Sequence, residues 1–265
     1  MVLIHGFRGT KQGLQLIGKE LRSAGKKEDI NYNLIAPDLP GFGNGAKLAT
    51  YDLESYTKWL QGYLKTVKQR FPRKKIVLLG HSFGSIICAA YAEKHPKTFD
   101  KLILINPIGS PALEGPKKAM SKLATLYYKI GTKLPANLAK SWLSSRLIVR
   151  VMSITMAKTK DKELLKYIHG QHDKYFSRFH NPKSLLEAFE VSISYNVSQF
   201  AANIPNQTLL IAGAIDDITP LSAQFGLVKK FPNAKLKVID NVGHLTHYET
   251  PQEVAHHIQE FIKSV

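Results

Sequence analysis

The sequence predicts an α/β fold in which a mainly parallel sheet is covered by helices on both faces. Three observations carry that expectation. Short apolar runs such as "KIVLLG" and "LILINP" alternate with stretches of helical period. The runs are apolar throughout, as strands covered on both faces are, rather than alternating with polar residues. The rhythm also breaks after Pro107 and resumes at "QTLLIAGA", which points to a helical insertion between two strands.

Val2 to Ile4 reads as the first strand. A helix follows over Gly13 to Ala24, with Leu14, Ile17 and Leu21 at helical spacing. "NLIAPD" reads as a second strand running into the turn "LPGFGNG". Leu53 to Arg70 is an amphipathic helix with Tyr56, Leu60, Tyr63, Leu64 and Val67 on one face. "KIVLLG" is the third strand, Ser85 to Lys94 a helix closed by His95-Pro96, and "KLILINP" the fourth strand. Residues 108–203 show helical periods and no strand series. A strand at "QTLLIAGA", a helix from Leu221 to Phe231, the strand "KLKVID" and a helix from Gln252 to Lys263 complete the chain. The expected organisation is a core of residues 1–107 and 204–265 with a helical cap of residues 108–203.

With 265 residues and 44% hydrophobic content, the chain can bury a sizeable core. Its single cysteine, Cys88, cannot form an internal disulfide and is expected to pack inside a helix. No apolar run reaches the length of a membrane span, and the N-terminus lacks the pattern of a signal peptide, so a cytoplasmic location is expected. The formal net charge is +17. Residues 108–203 hold about 15 Lys/Arg against about 6 Asp/Glu, together with several aromatics. That asymmetry permits a weak contact with an anionic membrane surface. The remaining basic residues are scattered and no nucleic-acid-binding motif is present, so no specific nucleic-acid partner is expected.

The chemistry concentrates in "KIVLLGHSFGSII", where an apolar strand runs through Gly80-His81-Ser82-Phe83-Gly84 into a helix. This is G-x-S-x-G in the strand–turn–helix context the motif requires. A turn that tight strains the serine backbone, and side chains two residues to either side would collide, hence glycine at both places. A serine nucleophile needs a base and a group that orients the base. Asp216 and Asp217 follow one strand, and Gly243-His244 follows the last. Strand C-terminal ends share one edge of a parallel sheet, where sites assemble. No His, Cys or Asp grouping has metal-ligand spacing, so neither a catalytic metal nor a cofactor is expected.

Five ordered motifs, "HGF" after the first strand, "PDLPGFG", the Ser82 elbow, "GAIDDITP" and "GHLTHYETPQEV", make nearly the whole chain resemble the α/β-hydrolase superfamily, in its branch with a helical cap. The resemblance implies Ser82 as nucleophile, His244 as general base, and Asp216 as the acid, with Asp217 as competitor. It implies backbone amides of Phe7 and Phe83 as the oxyanion hole, leaving both aromatic side chains free to wall an acyl pocket. Arg8, beside that loop, is a candidate for meeting a substrate carboxylate or phosphate, against the alternative of an ion pair that braces the loop. His5 is expected to brace the loop, His81 to be hydrogen-bonded within the elbow, His247 to pack or face solvent, and His256 and His257 to lie on the last helix's surface.

The resemblance also implies a sheet of about six strands lacking the family's usual N-terminal hairpin, either a naturally reduced sheet or a chain whose recorded start lies downstream of the true one. The 33–38 strand would then form an exposed edge able to pair with a second copy, so the chain is expected as monomer or dimer. The activity implied is that of a carboxylesterase or monoacylglycerol-lipase-like serine hydrolase, cleaving esters of small to medium acyl chains through an acyl-enzyme. Serine at the elbow argues against the dehalogenase and epoxide hydrolase branches, which carry aspartate there. Lactonase, thioesterase and carbon–carbon bond hydrolase chemistries remain alternatives on the same three residues, as does a non-catalytic ligand-binding relative.

Overall fold

A computed structural model describes residues 1–28, 30–111 and 118–264, the first four of the last group by backbone alone. Residues 112–117 of the expected cap lie outside the described residues. The elements are β1 (Val2–Ile4), α1 (Gln15–Lys27), α2 (Leu53–Arg70), β2 (Val77–His81), α3 (Phe83–Lys94) and β3 (Lys101–Ile105). Five helices follow, α4 (Lys118–Lys133), α5 (Ala136–Leu143), α6 (Arg146–Met156), α7 (Lys162–Tyr175) and α8 (Pro182–Ser194). The chain then returns through β4 (Thr208–Gly213), α9 (Leu221–Val228), β5 (Ala234–Ile239), α10 (Thr246–Glu249) and α11 (Pro251–Lys263).

The five strands pair in parallel in the order β1-β2-β3-β4-β5. Their side chains alternate between two apolar layers. Leu78, Leu102, Leu104 and Leu210 join the layer beneath α2 and α3, while Leu79, Ile103, Ile105 and Ile211 join the layer beneath α1 and α11. Period-two alternation with both faces apolar is what a doubly covered parallel strand requires. α2 buries Tyr56, Leu60, Leu64 and Val67 along one stripe, and Asp52 caps it by accepting from the Ser55 amide at 2.7 Å. α3 is apolar on all sides through Tyr91 and Ala92 and is buried accordingly.

The expected sixth strand is reduced to one residue. Ile35 forms a single parallel bridge with Val2, its amide donating to Met1 and its carbonyl accepting from Leu3. Two residues on, Pro37 has no amide to give to a ladder. The backbone then turns to other partners: Leu39 N donates to His5 Nε2 at 2.8 Å, and Asp38 accepts from the Lys11 and Asn44 amides. The continuous edge proposed for 33–38 is therefore absent. The "PGFG" turn binds the segment between α7 and α8 instead, with Gly43 N donating to Arg178 O and His180 N to Gly41 O.

Candidate active site

β2 passes directly into α3 through Ser82, whose φ of 51° lies in the left-handed region that serine seldom adopts. The strain is held from both sides. Ser82 N donates to Ile105 O at 3.0 Å, and its carbonyl accepts from the Ser85 amide and hydroxyl. A Cβ on Gly80 would lie 2.5 Å from Gly84 O, and one on Gly84 would lie 2.5 Å from Ile4 O. The two glycines are thus a steric condition of the turn.

The elbow meets residues from two other strand ends. His244 Nε2 lies 2.8 Å from Ser82 Oγ, and His244 Nδ1 lies 2.8 Å from Asp216 Oδ2. All three residues are buried. Asp216 follows β4; His244 follows β5. Asp217 turns outward instead, 68% exposed at its side chain, and pairs with Lys158. The Asp216 carboxylate is densely supplied with donors. Ile218 N and Thr219 N donate to Oδ1 at 2.7 and 3.0 Å, while Thr219 Oγ1 and Asn106 Nδ2 donate to Oδ2 at 2.5 and 2.8 Å. Burial opposes its charge, but the His244 ring and these hydrogen bonds outweigh burial and hold the carboxyl well below the usual carboxylate range.

Asn106 and Thr219, to which the sequence assigned no role at the site, both hydrogen-bond to Asp216. Asn106 ends β3 at a φ of 44°, donates to Asp216, and accepts from Thr246 Oγ1 at 2.5 Å. Its position at a strand's C-terminal end, before proline, was the available signal.

Phe83 opens α3, so its amide has no intrahelical acceptor, and among the described residues neither it nor the Phe7 amide donates elsewhere. The β1 loop abuts the elbow: a Cβ on Gly6 would lie 3.3 Å from Ser82 Cβ. The Phe7 side chain lines the cavity above Ser82. The Phe83 side chain does not, correcting the expectation that both wall the pocket. It is fully buried, edge-on to Tyr56 and Phe7, because α3 turns this face into the core.

His5 braces the loop as expected. Its Nε2 accepts from Leu39 N, so the neutral ring carries its proton on Nδ1, which donates to Gly6 O at 2.9 Å. Burial pushes its pKa down and favours that neutral form. Arg8 departs from both expectations. It is 1% exposed, does not line the cavity, and has no carboxylate partner among the described residues. Its Nη2 donates to Leu143 O at 2.8 Å and its Nε to Phe176 O at 3.1 Å. These carbonyls close α5 and α7, so the guanidinium caps two cap helices at their negative ends and ties them to the β1 loop.

A cavity of about 1140 Å³ reaches Ser82 and His244. Its wall is mostly apolar, with Ile148, Val151, Met152 and Met156 from α6 and Tyr128 and Ile130 from α4. Among the described residues, three lining residues each hold a buried polar atom without a partner: Thr10 Oγ1, His172 Nε2 and His247 Nδ1. His247 is buried against His81, with ring centroids 4.1 Å apart, so the solvent-facing alternative does not hold. Burial, with the neighbouring His244 adding, takes His81 down to about 3, and burial takes His172 down to about 3 as well. Cys88 packs inside α3, and burial pushes its thiol pKa up. Among the described residues, His256, His257 and Glu260 on α11 could approach one cation, but Glu260 already pairs with Lys237.

The model of the family described as alpha/beta hydrolase fold matches residues 1–251. The chain belongs to that family. It is 27% identical to the uncharacterized hydrolase YugF of Bacillus subtilis (strain 168), covering 99% of this chain and 89% of that one. It is also 27% identical to protein ABHD8 of Homo sapiens over 88% of this chain, but there it spans about half the relative's length, 49%. Among solved structures, a thermophilic esterase from Thermogutta terrifontis superposes with a TM-score of 0.75 at 20% identity, covering 99% of this chain and 88% of that one. At that identity the likeness speaks for the alpha/beta hydrolase fold. Among the described residues, no helix is long and apolar enough to cross a membrane.

Proposed function

We propose that this chain is a serine hydrolase that cleaves carboxylic esters through an acyl-enzyme. The observation that carries the reading is the buried hydrogen-bond chain from Ser82 through His244 to Asp216, opening into a large apolar cavity. Ser82 Oγ attacks the carbonyl carbon as its proton passes to His244 Nε2. The carbonyl oxygen takes up negative charge and is met by the Phe7 and Phe83 amides. The C–O bond to the leaving alcohol then breaks, and His244 returns the proton to the departing oxygen. Water repeats the sequence on the acyl-enzyme, His244 accepting its proton, and the carboxylic acid leaves. Asp216 keeps His244 in the tautomer whose Nε2 is free to accept, and stabilises the imidazolium that forms.

At about 1140 Å³ the cavity is slightly larger than the usual range of ligand pockets, roughly 300–1,000 Å³. That extends the acyl range beyond the small to medium chains expected from a capped architecture. The test is a panel of p-nitrophenyl esters of rising acyl length, with a lactone, a thioester and a monoacylglycerol beside it. Turnover rising with chain length supports the reading. Turnover of the lactone or thioester alone would replace the ester assignment, and binding without multiple turnover on any member would make the chain a ligand-binding relative.

A further inference from the structure

The outer face of the cap inverts the pattern of a helix exposed to water. On α6, Leu147, Val151 and Ile154 recur at helical spacing and are 74%, 52% and 58% exposed. Leu123 and Leu126 on α4 and Trp142 on α5 are likewise exposed. A lone exposed leucine is ordinary, whereas six large apolar side chains exposed on three successive helices call for an explanation. Leu123, Leu126, Trp142 and Val151 are exposed where they line the cavity that reaches Ser82, whereas Leu147 and Ile154 lie outside it. Reciprocal hydrogen bonds between Tyr127 and Trp142 fasten α4 to α5.

Charge on this segment has one sign. Residues 118–160 contain nine Lys/Arg and no Asp/Glu. Among the described residues, Arg150 and Lys158 pair with carboxylates from elsewhere in the chain. Lys122, Lys129, Lys133, Lys140 and Arg146 are exposed, with no such partner among the described residues. A second copy of this face would set those cations against their own counterparts, a repulsive arrangement. A nucleic acid would satisfy the cations and leave the apolar stripes in water. An anionic bilayer satisfies both, with side chains such as Leu147 and Trp142 entering the acyl boundary and lysines meeting headgroup phosphates.

We propose that α4, α5 and α6 dock this chain on an anionic membrane surface, with the mouth of the cavity turned toward the lipid. An amphiphilic ester can then enter the cavity from the bilayer without passing through water. The docking itself requires no catalysis, so its failure and the failure of the hydrolase reading are distinguishable.

The experiment is vesicle co-sedimentation of the Ser82→Ala protein, which avoids any turnover of the lipid. Vesicles containing phosphatidylglycerol are compared with pure phosphatidylcholine across a salt series. Binding should appear on the anionic vesicles and weaken with salt. Lys129→Gln, Lys133→Gln and Lys140→Gln together should lower partitioning roughly a hundredfold. Leu147→Asp with Ile154→Asp should abolish it, while the same changes in the Ser82 background leave turnover of a soluble p-nitrophenyl ester intact. Absent binding, equal binding to both vesicle types, or indifference to these substitutions would overturn the proposal. So would a concentration-dependent dimer that Leu147→Asp dissolves while vesicles remain unbound.

Discussion

Asn106 Nδ2 donates to Asp216 Oδ2 at 2.8 Å from a backbone held at a φ of 44°, on the end of the strand between the Ser82 and Asp216 strands. The side chain therefore links the acid to the sheet's middle, and through Thr246 to the segment that follows His244. Asn106→Ala removes one donor from a buried carboxylate and should cost about 1–3 kcal/mol of stability. Asn106→Asp keeps the shape but sets a second carboxyl against Asp216, raising one of the two pKa values. The acid limb of the pH–rate profile should then move to higher pH. An unmoved limb would assign Asn106 to packing alone.

The outward turn of Asp217 makes the choice between adjacent acids testable. Asp216→Asn should lower kcat by roughly 10³–10⁴-fold by replacing the carboxylate that fixes the His244 tautomer and stabilises its imidazolium with a neutral amide able to donate to Nδ1. Asp217→Asn removes a largely exposed pair with Lys158 and should leave kcat within a factor of about three. The opposite ranking would move the acid by one position.

Gly80 and Gly84 set the geometry of the elbow by steric exclusion. Alanine at either site brings a Cβ to 2.5 Å from a backbone oxygen, so the strand or helix must shift. Each substitution should cost about 1–3 kcal/mol by overpacking, read as a lower urea midpoint. Unchanged midpoints would mean that the turn is looser than these distances.

Burial of neutral histidines makes stability depend on pH. His81 and His172 bind a proton near 6.5 in the unfolded chain but only at about 3 in the folded one. Between those values the unfolded state holds more protons, so their contribution is complete above about 6.5 and is lost as pH falls toward 3. At pH 5 each should have cost about 2 kcal/mol relative to pH 7. The urea midpoint should fall accordingly, and His172→Phe should flatten the dependence. A midpoint constant from pH 7 to 5 would contradict the buried, neutral assignment.

Arg8 holds two helix ends with donors that lysine cannot reproduce. Arg8→Lys should destabilise by about 1–3 kcal/mol, since one ammonium cannot serve both Leu143 O and Phe176 O as the planar fork does. It should also raise KM more than it lowers kcat, because α5 and α7 line the cavity through Trp142 and His172. A purely local brace would leave KM unchanged.

The parts of this molecule legible in the sequence are those written as local patterns. Apolar runs marked β1 through β5, one face of apolar residues marked α2, and the glycine pair with its serine marked the elbow. What sequence could not supply depends on contacts between distant segments. The 33–38 run reads as a strand by its residues, yet Pro37 and the demands of His5 and Asp38 leave it one bridge. Arg8 reads as a substrate-binding cation or an ion-pair brace, whereas carbonyls some 135 and 168 residues away bury it. Asn106 carries no charge, and its part in holding Asp216 depends on a contact 110 residues away. The unpartnered atoms of His172 and His247 meet at one cavity only once α7 and α10 are folded over the sheet.

The most direct test compares turnover of a p-nitrophenyl ester by the wild-type protein and by Ser82→Ala, with circular dichroism recorded on both. Ser82→Ala should lose at least roughly 10⁴-fold in kcat with an unchanged spectrum. Ester hydrolysis by the Ser82→Ala protein at the wild-type rate would contradict the assignment of Ser82 as the nucleophile, and with it the acyl-enzyme mechanism.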